Sequence, residues 1–120
     1  MKNSQKEVLE KVKSKIEKKY SKIKDLEILV EYRRIQVGFG WTNYLHGNPP
    51  QGRYPFHEIN YSFDLSESFL GKTLTTTKDI FNFLDGRIQE ELKWQKRIDE
   101  DYAKEHNKKI EYKFDYSIID

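Results

Sequence analysis

Two histidines, His46 and His57, stand on either side of a loop rich in glycine and proline, and Glu58 follows the second directly. Imidazole and carboxylate are metal ligands and proton carriers, so a metal centre or an acid–base pair is the first chemistry to weigh. The spacing matches no compact zinc motif, and an extended chain sends His57 and Glu58 to opposite faces. His106 falls at the end of a helical pattern, where a cation suits the helix dipole and needs no ligand. Carboxylates are plentiful at Glu90-Glu91 and Asp99-Glu100-Asp101. They interleave with Lys93, Lys96 and Arg97 at i,i+3 and i,i+4 spacings, which is the pattern of a solvated helix face.

Shorter signatures carry little. Glu111-Tyr112-Lys113 has the Glu-x-Lys spacing of many metal-dependent nucleases, with Asp64 as the acid that would join it from another strand. Alternation along a strand already asks for charges at both positions. Gly71-Lys72-Thr73 ends like a phosphate loop but lacks the upstream glycine. Gly38-Phe39-Gly40 is too short for a dinucleotide fingerprint and has no helix behind it. The chain has no cysteine, so thiolate ligands, cysteine nucleophiles and disulfides are excluded. These residues predict no catalytic group, no metal and no cofactor.

Binding chemistry is better represented. Between Gly38 and Glu58, five aromatic residues gather around four glycines and three prolines. Phe39, Trp41 and Phe56 suit the end of a core. Trp41, Asn43, Tyr44, His46, Arg53 and Tyr54 form the expected partner-binding set, because Tyr, Trp and Arg on a loop stiffened by Pro49-Pro50 make a contact surface with little entropy to lose. Aromatic rings beside arginine also suit a nucleotide base. A second candidate, for nucleic acid, is the basic start of the chain: Lys11, Lys15, Lys18, Lys19 and Lys22, extended by Arg33 and Arg34.

The elements that must position these residues follow from periodicity. Ser4-Gln5-Lys6-Glu7 is a capping box, and Val8, Leu9, Val12, Ile16, Tyr20 and Ile23 make one apolar stripe, so a helix is expected over 5–23. Residues 28–41 read as one strand that changes phase: Ile28, Val30 and Tyr32 share one parity, and Ile35, Val37, Phe39 and Trp41 the other. The expectation is a bulge at Arg33-Arg34, with Tyr32 and Ile35 on one face. Loop signals fill 42–54. A half-buried strand is expected over 57–65, with Ile59, Tyr61, Phe63 and Leu65 inward. A second helix follows over 77–106, opened by Thr76 and Asp79, and its apolar residues thin out after Leu92, so its last turns are expected to project from the body or to meet a partner. Alternation at Ile110, Tyr112, Phe114, Tyr116 and Ile118 predicts a last strand over 110–118.

This order, α-β-β-α-β, predicts an α+β domain: a two-layer α/β sandwich with an antiparallel sheet of three to four strands and two helices on its apolar face. The 120 residues fit a single domain. Residues 1–24 hold nine Lys and three Glu, a net of +6, while the whole chain carries only +2. The positive charge is therefore a property of the first helix, and a domain-wide basic footprint is missing. No apolar run is long enough for a signal peptide or a membrane span, which points to the cytoplasm and away from membranes. Small size, no cysteine, no catalytic signature and a display loop are together similar to the profile of small inhibitors such as toxin-immunity and phage anti-defence proteins. The expected function is a non-enzymatic protein that binds and blocks a macromolecular, most simply protein, partner. The alternative is a nucleic-acid or nucleotide binder using the basic helix and the loop aromatics.

Overall fold

The computed structural model describes residues 4–40, 57–63, 76–105 and 116–120. Their order is α1 (Ser4–Lys19), β1 (Glu27–Glu31), β2 (Arg34–Phe39), β3 (His57–Ser62), α2 (Thr77–Glu105) and a 3-10 turn at Tyr116–Ile118. The strands form an antiparallel sheet in the order β1-β2-β3. Both helices pack on one face of it, α1 over β1 and β2, α2 over β3, and against each other. This is the expected α+β architecture.

The core follows the predicted stripes. Leu9, Val12 and Ile16 recur at helical spacing and are fully buried, facing Ile35 and Val37 of β2, Ile59 and Tyr61 of β3, and Ile80, Leu84, Ile88 and Leu92 of α2. α1 ends at Lys19, four residues early. The Ile23 N–H then donates to the Tyr20 carbonyl at 3.0 Å, a tight turn that keeps both Tyr20 and Ile23 buried. Thr76 caps α2 as expected: its Oγ1 accepts from the Asp79 N–H at 3.1 Å.

The bulge expected at Arg33-Arg34 is not there. Glu31 pairs directly with Arg34, and Ile28 with Val37, so the expected strand 28–41 is two strands joined by a two-residue turn at Tyr32-Arg33. A hairpin turn also explains the phase change. Directly paired residues share a face, so Val30 and Ile35 point inward together although their numbers differ in parity. Tyr32 is thrown out at the tip, 65% exposed, away from the face that Ile35 buries.

Two further expectations are corrected. Tyr116, Ser117 and Ile118 are a 3-10 turn and not the end of a strand. Tyr116, Ile118 and Ile119 all pack on the core, including two neighbours that a strand would send to opposite sides. Residues 110–115 lie outside the described residues, as do Asp64, Leu65, Gly71, Lys72, Thr73 and His106. Nor do the turns of α2 after Leu92 leave the body: Gln95, Asp99 and Ala103 are buried there. The stripe continues, but it becomes polar. Among the described residues no helix is long and apolar enough to cross a membrane.

Candidate functional site

Residues 41–56 connect β2 to β3, and the described positions at either end of them are held in place. On one side Gly40 has φ 82°, a conformation that costs glycine nothing and other residues strain. Its N–H donates to Asp25 Oδ1 at 3.1 Å. On the other side His57 opens β3, paired with Phe39, and the two rings stack with centroids 4.8 Å apart.

His57 is buried, whereas Glu58 is exposed on the opposite face. Its polar atoms are matched by α2. Nδ1 lies 3.0 Å from Glu91 Oε1 and Nε2 lies 3.1 Å from Gln95 Oε1. Gln95 Nε2 donates to Asp99 Oδ1 at 2.7 Å, and the Tyr116 hydroxyl donates to Asp99 Oδ2 at 2.7 Å. The spacing Glu91, Gln95, Asp99 is i, i+4, i+8, one side of a helix. The Asp99 carboxylate accepts only, which fixes the Gln95 amide with its oxygen toward His57. His57 is thus met at both ring nitrogens, Nε2 by the Gln95 amide oxygen and Nδ1 by the Glu91 carboxylate. With both nitrogens engaged, the ring anchors the stem.

Trp94 completes this end of the molecule. It stands on α2 between Glu91 and Gln95, 50% exposed, with its ring edge-on to His57 at 6.1 Å.

A second polar cluster joins α1, α2 and the last residues. The Tyr20 hydroxyl donates to Asp85 Oδ1 and accepts from Gln89 Nε2 at 2.8 Å. Gln89 also donates to the Ile118 carbonyl at 3.0 Å and accepts from the Asp120 N–H at 2.8 Å. Lys19 Nζ lies 2.9 Å from the Asp85 carboxylate and 2.8 Å from Asp120 Oδ2. Burial and the hydrogen bond to Asp85 hold the Tyr20 phenol above its ordinary range, against the donation from Gln89. Desolvation pulls the Lys19 ammonium down, but the hydrogen bonds to Asp120 and Asp85 outweigh it and raise its pKa.

Of the expected partner-binding residues, Trp41, Asn43, Tyr44, His46, Arg53 and Tyr54 lie outside the described residues; the stems that carry them do not. The basic set is divided. Lys11, Lys15, Lys18, Lys22 and Arg33 are exposed. Lys19 is spent on Asp85 and Asp120, Arg34 pairs with Glu31 at 2.9 Å, and Lys15 sits 5.6 Å over the Phe81 ring. Lys22 precedes β1 and Arg33 follows it, at opposite ends of that strand.

Glu91, Trp94, Gln95, Asp99 and Tyr116 were not expected at a site. The available signal was the helical stripe itself, which continues past Leu92 as Gln95, Asp99 and Ala103. Comparison of the chain with models of known families, with curated proteins and with solved structures returned no match.

Proposed function

We propose that the chain is a non-enzymatic, cytoplasmic protein that binds and blocks a protein partner. Its contact surface is the loop carrying Trp41, Asn43, Tyr44, His46, Arg53 and Tyr54, joined by Trp94. The observation that carries this reading is Trp94: a large ring, half in water, set against His57 at the stem of an aromatic loop. Exposed tryptophan beside other aromatic residues is the composition of binding hot spots. The stems support it as well. Gly40 is tied to Asp25, and His57 is tied to Glu91 and Gln95, so the base of the loop is rigid and less ordering is left for binding to supply. The engagement of both His57 nitrogens favours an anchoring role over acid–base catalysis. The division of the basic residues weakens the nucleic-acid alternative.

The test is capture of the partner from the cells that make the chain, followed by titration against Trp94→Ala. Truncation of a half-exposed ring leaves the thermal melt close to wild type, and the expected loss in affinity is about tenfold or more. Wild-type affinity in a folded Trp94→Ala variant refutes the assignment of Trp94 to the surface.

A further inference from the structure

β1 is an edge of the sheet: it pairs with β2 on one side, and among the described residues nothing pairs with the other. The main-chain groups on that free side can be identified. The Phe63 N–H donates to the Arg33 carbonyl at 3.1 Å, which makes Arg34 and Ser62 a non-hydrogen-bonded pair. Arg34, Gln36 and Gly38 therefore turn their N–H and C=O groups to β1, where they meet Glu31, Leu29 and Glu27. Ile28 and Val30 are left with theirs pointing outward.

The side chains along this edge specify what it would accept. Glu27, Leu29 and Glu31 face away from the helices and are exposed, Leu29 to 49%. Glu31 is neutralised by Arg34, whereas no ion pair joins Glu27 to another of the described residues. Glu27 pairs with Gly38, and Gly38 with Glu58 on its other side. The row across the sheet is thus carboxylate, glycine, carboxylate, with the outer backbones about 10 Å apart. Lacking a side chain, Gly38 leaves a shallow depression there, lined by Glu27, Ile28, Leu29, Gln36 and Gly38.

We propose that the outer edge of β1 is a docking strand for an extended basic segment of a partner protein, taken up by strand addition at Ile28 and Val30 with a Lys or Arg beside Glu27. Two residues along the incoming strand, on the same face, an apolar side chain covers Leu29. Main-chain bonds supply affinity in this mode and alternate side chains supply selectivity. A second copy of this chain fits less well. With Leu29 facing its own copy, Glu27 would lie opposite Glu31 of that copy, whose neighbouring cation Arg34 is already paired with Glu31, so Glu27 would gain no basic partner of its own. This surface is distinct from the loop of the proposed function and stands or falls without it.

The probes are two short synthetic peptides, one carrying Lys and Val in turn at every second residue with Thr between them (Lys-Thr-Val-Thr-Lys-Thr-Val), so that both fall on one face, and one with Glu in place of each Lys. Amide hydrogen exchange is followed by NMR at Ile28, Leu29 and Val30. At saturation the Lys peptide is expected to slow exchange at Ile28 and Val30 by about tenfold or more and to leave Leu29, already bonded to β2, unchanged. The Glu peptide leaves all three unchanged. Glu27→Lys, an exposed substitution that keeps the fold, is expected to lower affinity for the Lys peptide by about tenfold and to raise it for the Glu peptide. Equal effects of the two peptides, or no slowing by either, overturn the proposal. So does protection of Ile28 and Val30 that rises with protein concentration alone, since that makes a second copy the occupant.

Discussion

Tyr20 and its neighbour Lys19 give the fold an alkaline pH dependence. Both hold their proton more tightly in the folded chain than in the unfolded one. Their contribution to stability is therefore complete below the unfolded values, about pH 10, and is lost as pH rises above them. Urea midpoints should be level from neutrality to about pH 10 and then fall. Tyr20→Phe leaves Gln89 without one acceptor and Asp85 without one donor, at a cost of ~1–3 kcal/mol at neutral pH. It also removes one of the two titrating groups, so the alkaline decline should be shallower than in wild type; an identical decline refutes the role of Tyr20. At this scale the sequence was legible where residues are apolar and opaque where they are polar and buried. Ile80, Leu84, Ile88 and Leu92 announce their face. Gln95 and Asp99 look like members of a solvated helix surface, because their burial depends on His57 and Tyr116, which are distant in the chain and matched to them only by the fold.

The hairpin of β1 and β2 is the element whose reading changed most. The phase shift between Val30 and Ile35 was visible, but a bulge and a two-residue turn both produce it, and the usual marker of the turn is missing. Such connections favour Asn-Gly or Asp-Gly, which accept positive φ, and this one is Tyr-Arg. That difference supplies a test. Replacing Tyr32-Arg33 with Asn-Gly should raise stability by ~0.5–1 kcal/mol, read from the urea midpoint, because the turn is kept and its residues suit it better. A bulged continuous strand would instead be weakened by the glycine. The last segment misled for another reason. Alternation at Tyr116 and Ile118 is real, but Gln89 and Asp99 of α2 hold the Ile118 carbonyl and the Tyr116 hydroxyl, so these residues dock on the helix layer and not on a sheet edge.

For the whole molecule, the described residues form a sheet with two helices on one face, tied together by two polar clusters, one of them beside the stem of the aromatic loop. His57, Glu91, Gln95 and Asp99 tie β3 to α2 beside Trp94, while Lys19, Tyr20, Asp85 and Gln89 tie α1 to α2. On this account the scaffold serves to present the loop, and the lysines of α1 mainly keep a helix face solvated. The most direct measurement is a titration of the captured partner at two salt concentrations. It compares wild type with a loop variant (Tyr44→Ala, His46→Ala, Arg53→Ala) and a helix variant (Lys11→Ala, Lys15→Ala, Lys18→Ala), each confirmed as folded by its thermal melt. The account predicts that the loop variant loses several kcal/mol, since such anchors contribute ~1–4 kcal/mol each, while the helix variant changes the association rate more than the affinity. Wild-type affinity in the loop variant, with weaker and less salt-dependent binding in the helix variant, would contradict it and make phosphate contacts the basis of binding.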